Sequence, residues 1–455
     1  MELTEKILKN FTISKPQRKF LIALFTAILT ARGKINFRNL SRYSDVSERT
    51  YSRQFSNPFE FEAFNRVVID EGFGRASDRI IVLDASFVSK SGKKTYGLDY
   101  FWNGCHRRSE KGLEVSGVAI VDVEKNTGFT LSVRQTEPKD TRPSSDSKSK
   151  QEAAKTDKVK KTTQKKRTKK KGKAKSKKKS SKQEDDGETL TDQYLQHMKD
   201  VKPYLLEDEI YTVVDGYFAK KKFVDGVRDL DLHQVGKLRC DANMRYLYTG
   251  PKRAHGSGRQ KTYDGKVNWQ DLSRFEYIET QEGIDIYSLV LNHVSLKRNV
   301  KVVVLLDLRN EDKKRYAILF STDTQLDAKR LVRYYKARFQ IEFIFRDAKQ
   351  FTGLCDCQAR GQKRLDFHFN AALTTLNLAK LEHLQAQSDT RPTPFSMASI
   401  KACYFNTFFL QKIFSMLDID QYGGQFCLTK KCRSRRLGII DHYVNDTLYL
   451  ERRHN

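Results

Sequence analysis

Residues 331–350 read LVRYYKARFQIEFIFRDAKQ, a run without Gly or Pro and rich in helix formers. At about 100° per residue, Tyr334, Ala337, Ile341, Ile344, Phe345 and Ala348 fall on one stripe that can face a core. Tyr335, Arg338, Glu342 and Lys349 fall on a second stripe, roughly 60° wide. One acid, two bases and a phenol therefore share a helix face. Taken alone, that face reads as a solvated surface with an Arg338–Glu342 ion pair at i, i+4 before it reads as a functional one.

Working outward, two more carboxylates stand in unusual positions. Asp84 follows the apolar run Ile80-Ile81-Val82-Leu83, which reads as a strand buried on both faces. Asp215 follows Tyr211-Thr212-Val213-Val214 in the same way, and Gly216 allows a sharp exit. An ionised carboxylate at such a place is costly unless compensated. A hard divalent cation would compensate it, because Asp and Glu oxygens suit Mg²⁺ or Mn²⁺.

The segments around these acids predict a mixed α/β sheet. Val115–Val123 and Phe129–Val133 are β-rich, with 124–128 as the turn between them, so three strands follow one another from Arg79. Further on, 190–205 reads as a helix, 211–214 as a strand, 219–230 as a helix and 233–239 as a short strand. From about 241 to 325 the pattern is mostly β, with runs at 284–291, 300–306 and 316–321, and this stretch is expected to interrupt the sheet. Its Gly-rich His255-Gly256-Ser257-Gly258 lacks the Lys-Ser or Lys-Thr of a phosphate loop and reads as a hairpin connection. The expected organisation is a helical N-terminal region at 1–75, a first core part at 76–240, a β-rich insertion at 241–325, the closing core helices at 326–390 and a helical region at 391–455.

Before the sheet, 36–44 and 47–55 read as two short helices with Asn36 and Ser47 as N-caps. Leu40, Tyr43, Val46, Tyr51 and Phe55 would form their seam, leaving Arg38, Arg42, Arg49 and Arg53 outside. The layout fits a helix-turn-helix, with Arg49 and Arg53 reaching DNA, or an ordinary helical subdomain.

Composition narrows the partner. The 455 residues, enough for several folded units, carry 85 Lys plus Arg against 56 Asp plus Glu, a formal charge of +29 that suits a polyanion. From Lys148 to Lys182 there are 18 basic residues and two acids, so this tract holds 16 of those charges and the other 420 residues still carry +13. Almost bare of large apolar residues, 141–188 is expected to be a disordered insertion, either a passive tether or a DNA-binding tail. The longest apolar stretch, Phe20–Ala31, is too short to span a bilayer and reads as a buried helix, so no membrane association is expected and the protein is expected in the cytoplasm. The seven scattered cysteines fit a reducing compartment. Cys355 and Cys357, with His368 beyond, lack the spacing of a zinc site.

The pattern Tyr335-x-x-Arg338-x-x-x-Glu342-x-x-x-x-x-x-Lys349 resembles the Tyr-Arg-Glu-Lys signature of one large branch of bacterial insertion-sequence DDE transposases. The contexts Asp84-Ala85-Ser86 and Asp215-Gly216-Tyr217 resemble that branch as well, and the likeness spans about Arg79 to Lys349. It implies a ribonuclease-H-like core in which Asp84, Asp215 and Glu342 are the catalytic acids and hold two Mg²⁺ ions, with Mn²⁺ as a substitute. It implies that Tyr335, Arg338 and Lys349 grip terminal phosphates of transposon ends, and that the protein cuts and joins double-stranded DNA as a homodimer on paired ends in the bacterial nucleoid. Relatives that form a DNA hairpin use an aromatic residue of the β insertion to receive a flipped base, and Trp269 could serve, although packing is the commoner role of a tryptophan there. The Lys-rich insertion departs from the branch. Two other readings stay open, a regulatory or domesticated DNA-binding protein with the same fold and a metal nuclease that does not transpose.

Overall fold

A computed structural model of the chain describes residues 2–74, 77–92, 94–137, 189–251, 259–309, 315–387, 393–416, 421–422 and 425–426. The Lys-rich tract and the glycines at 256–258 lie outside these residues.

Five helices come first: α1 (Glu2–Lys9), α2 (Lys15–Thr30), α3 (Phe37–Leu40), α4 (Glu48–Gln54) and α5 (Phe61–Phe73). Then follow β1 (Arg79–Ser89), β2 (Asp99–Asn103), β3 (Arg108–Asp122), β4 (Thr127–Gln135), α6 (Leu190–Val201), β5 (Tyr211–Val213), α7 (Lys221–Arg228) and β6 (His233–Leu238). The inserted strands are β7 (Met244–Leu247), β8 (Tyr263–Lys266), β9 (Glu276–Gln281), β10 (Ile284–His293), β11 (Arg298–Asp307) and β12 (Arg315–Ser321). Then come α8 (Ala328–Ala337), α9 (Gln340–Phe351), α10 (Gln362–Ala386), α11 (Met397–Met416) and a short antiparallel pair, β13 (Gln421–Tyr422) and β14 (Gln425–Phe426). Among the described residues, the region expected to be helical at 391–455 is therefore helical only over α11, and its last residues, from 427, lie outside the described ones.

β3 pairs antiparallel with β1 on one side and with β4 on the other. β1 pairs parallel with β5, and β5 with β6. The order β4–β3–β1–β5–β6, three antiparallel strands extended by two parallel ones, is the ribonuclease-H-like core. The mostly β insertion stands between β6 and α8 as expected, and its strands join the same sheet. β12 lies antiparallel to β6, so the insertion lengthens the same sheet to twelve strands. The pairing of Val235 with Ser321 joins segments far apart in sequence, which local patterning cannot show.

The alternation of β1 explains the layers. Ile81 and Leu83 share a core with α1, α2, α5 and α6, whereas Ile80 and Val82 share another with α8 and α9. Since side chains alternate across a strand, Asp84 belongs to the α8–α9 face. α10 contributes to both cores and is buried nearly all round, as a helix apolar on most sides must be. Phe20–Thr30 lie in α2 and are mostly buried, and Ala31, buried as well, caps the helix. Among the described residues, no helix is long and apolar enough to cross a membrane.

Three local expectations are corrected. β1 does not end at Asp84: residues 85–89 continue the ladder against Ser116–Gly112. Residues 331–350 are not one helix, because α8 stops at Ala337 and the backbone tightens to i→i−3 bonds, Phe339 N to Lys336 O and Ile341 N to Arg338 O, before α9 begins. The helix expected at 36–44 is a single turn, α3, although Asn36 and Ser47 cap as expected by accepting from Asn39 N at 2.9 Å and Thr50 N at 3.3 Å. Leu40, Tyr51 and Phe55 are buried, and Arg38, Arg42, Arg49 and Arg53 are exposed.

Candidate active site

The parallel register of β1 and β5 pairs Ile81 with Thr212 and Val82 with Val213. Continued by two residues, it sets Asp84 beside Asp215, on strands about 4.8 Å apart. Asp215 is held by its own turn, its Oδ1 accepting from Tyr217 N at 2.8 Å. Asp84 Oδ1 accepts from Ala85 N at 2.8 Å.

Glu342 arrives from above the sheet, in the first turn of α9. Ile341, Ile344, Phe345 and Ala348 are buried beneath that helix, and each large apolar side chain contributes about 1.5–3 kcal/mol to docking it. The approach depends on Gly117, opposite Asp84 in β3. A Cβ there would lie 2.8 Å from the Phe345 ring.

Arg338 fills the space between the acids. Its side chain is buried, with Nη2 donating to Glu342 Oε1 at 2.7 Å and Nη1 at 3.5 Å from Asp84 Oδ2. Its Nε is buried without a partner. Burial pushes the Asp84 carboxyl up to about 6; Asp215 and Glu342 push the same way, against the Ala85 amide and Arg338. Burial also raises the Tyr335 hydroxyl, which lies beside Arg338 and within the field of Asp215 and Glu342.

Asp84 and Glu342 thus share one guanidinium while Asp215 adds to the field at Asp84, an excess of negative charge set in a partly buried place. All the donors are oxygen, the set that suits Mg²⁺ or Mn²⁺. Among the described residues no three acidic, His or Cys side chains are already drawn around one point. Metal ions would fit here on opening the Arg338 bridge, which frees the guanidinium for another anion.

Lys349 is half-buried two turns along α9, about 10 Å from Glu342, and lines a groove of ≈ 620 Å³ with Arg32, Lys34 and Lys401. Arg49 and Arg53 make no hydrogen bond or ion pair with this cluster. Trp269 is half-buried in the inserted strands, with its Nε1 donating to Ala242 O at 3.3 Å and its ring against Phe275, so the structure gives it a packing place. The Cys357 thiol is hydrogen-bonded to His368, whose Nε2 donates to Gly353 O at 2.7 Å.

Sequence reasoning missed a cleft of ≈ 1120 Å³ at the far end of β1, lined by Lys34, Lys90, Lys94, Lys111 and Arg360 with Asp356 as the one acid. Asp356 Oδ2 accepts from Ile35 N at 2.8 Å. These cations come from four separated segments, so no local run betrays them.

A protein-family model described as DDE superfamily endonuclease matches residues 7–282. The match takes in Asp84 and Asp215 and ends before Glu342. Among curated proteins, none matches the sequence.

Proposed function

Because the chain belongs to the DDE superfamily endonucleases, we propose that it is a DNA transposase that cuts and joins transposon ends with Asp84, Asp215 and Glu342 as its acids. The observation that carries this reading is the bridging of Asp84 on β1 and Glu342 on α9 by the buried Arg338, with Asp215 set beside Asp84 by the parallel register of β1 and β5. The Tyr-Arg-Glu-Lys spacing supports the insertion-sequence branch and a bacterial source.

Asp84, Asp215 and Glu342 would hold two divalent ions, Mg²⁺ or Mn²⁺, which when bound activate the attacking oxygen and stabilise the leaving one. The protein's own part is positioning and charge. Arg338, forked and buried, can take two oxygens of one phosphate once it leaves the acids. Tyr335 offers a hydroxyl on the same side, and Lys349 offers a point charge two turns further along the groove. The exposed arginines of α4, Arg49 and Arg53, supply cations for duplex DNA, and two copies of the chain would hold two ends.

The test is purified protein incubated with paired transposon ends and Mg²⁺. Cleaved and joined products are expected. Cleavage without joining would make the chain a nuclease, and binding without either would make it a regulator.

A further inference from the structure

β2 stands at one end of the sheet and carries the two most exposed large apolar side chains among the described residues, Tyr100 at 67% and Trp102 at 61%. The register fixes what surrounds them. Tyr100 lies opposite Lys111 and Trp102 opposite Ser109, so these four side chains share one face. The acids of this hairpin, Asp99 and Glu110, alternate onto the other face. Glu110 is moreover occupied there by Asn103, His106 and Arg108.

The same face leads to the candidate active site. Along β3 the odd positions run from Ser109 through Lys111 and Leu113 to Gly117, which is the partner of Asp84. Between the two ends, Val88 and Leu113 are covered, buried in the same core as Leu354 and Cys357. Beyond that cover opens the basic cleft, and Lys111 belongs both to the cleft and to the aromatic face. Tyr96 N donates to Arg360 O at 2.9 Å, tying the lead-in of β2 to the other wall. The eight steps along β3 from Gly117 to Ser109 cover about 26 Å.

Uncovered rings beside exposed lysines, with the acids turned away, match the surface that single strands use: flat faces for bases and cations for phosphates. We propose that the outer face of β2 and the adjoining cleft bind a single-stranded segment of DNA, Tyr100 and Trp102 stacking on unpaired bases while Lys94, Lys111 and Arg360 take phosphates. The proposal rests on the reading of the chain as a protein that acts on DNA, and it assigns the part of that DNA lying about 26 Å from the acids to an unpaired strand. The charge of the cleft favours a polyanion over a second protein.

The chain has only two tryptophans, so full-length Trp269→Phe protein leaves Trp102 as the sole reporter. Titrated with oligo-thymidylate in metal-free buffer, Trp102 fluorescence should be quenched to saturation. Tyr100→Ala should weaken that single strand about 5- to 150-fold while leaving duplex affinity unchanged. Lys94→Ala with Lys111→Ala should flatten the salt dependence. Should Trp269→Phe fail to fold, the difference between wild type and Trp102→Ala gives the same signal. No quenching, or an equal loss on duplex DNA, overturns the proposal. So does a change of oligomeric state on Tyr100→Ala without DNA, which would assign the face to a second copy of the chain. Cleavage of transposon ends by a protein whose Trp102 is not quenched would sink this inference alone, and quenching in a protein that never cleaves would sink only the transposase reading.

Discussion

Asp84 and Gly117 stand directly opposite each other in the β1–β3 ladder, and the missing side chain of the second lets α9 bring Glu342 over the first. At Gly117 a Cβ would meet Phe345 at 2.8 Å, an aromatic ring locked in the core. Gly117→Ala should therefore cost about 1–3 kcal/mol of stability, as overpacking does, and reduce DNA cleavage more than the thermal shift explains. Melting curves and end-cleavage rates check it; unchanged cleavage would separate the seat of α9 from the site.

The Asp84 carboxyl supports a second prediction, about stability and metal. Its folded value of about 6 lies above its ordinary 3.8, so the folded state holds the proton more tightly. Stability from this group is full below its unfolded value and is lost as pH rises through about 6. Near pH 7.5 without metal, Asp84→Asn should stabilise the protein by about 1–3 kcal/mol while abolishing cleavage. Mg²⁺ should raise the melting temperature of the wild type and leave that of Asp84→Asn nearly unmoved. A stabilising Mg²⁺ effect of equal size in both would remove Asp84 from the ligand set.

Apolar runs and helical periodicity made much of this legible in the sequence. Ile80–Leu83 and Tyr211–Val214 announce buried strands because burial on both faces demands continuous apolar residues. The stripe holding Tyr335, Arg338, Glu342 and Lys349 anticipated that Arg338 and Glu342 meet. What escaped was non-local. β2 is five residues long and exposes Tyr100 and Trp102 while burying Phe101 between them, so it lacks the continuous apolar run of a buried strand. The break between α8 and α9 leaves Arg338 right-handed, at φ −51° and ψ −33°, with no Gly or Pro to mark it. The contact of Arg338 with Asp84 is set by the packing of α9 on β3, and Asp84 in turn lies mid-strand because Ala85–Ser89 find partners that sequence does not name.

His197 gives a pH prediction remote from the acids. It lies fully buried on α6, its Nδ1 2.8 Å from Ser116 Oγ and its Nε2 3.0 Å from Ser132 Oγ. Burial, helped by Arg134, holds its imidazole down at about 3. Below pH 6.5 the unfolded chain takes up a proton that the folded one refuses, so stability falls as pH drops from 6.5 towards 3. The loss is about 1.4 kcal/mol per pH unit across that window. His197→Gln should flatten this limb of the melting temperature against pH. An unchanged limb would mean that other groups set the acid sensitivity.

Arg338 separates a phosphate clamp from a counterion. In the metal-free protein its buried guanidinium is the one cation bridging Asp84 and Glu342, so Arg338→Ala should lower stability by about 2–3 kcal/mol. Mg²⁺ should then raise the melting temperature of Arg338→Ala more than that of the wild type, since the ions replace the lost charge. Cleavage decides the rest. If Arg338 also holds a phosphate, Mg²⁺ restores the fold of Arg338→Ala without restoring cleavage. Arg338→Lys should remain clearly impaired, because an ammonium cannot reach two oxygens as a fork does. Lys349→Ala should cleave or join poorly with little thermal change, as its charge lines an open groove, and Tyr335→Phe should show a milder defect from one lost hydroxyl. Full cleavage by Arg338→Lys and by Lys349→Ala, in Mg²⁺ and with normal melting, would reduce Arg338 to a counterion and leave the phosphates to other residues.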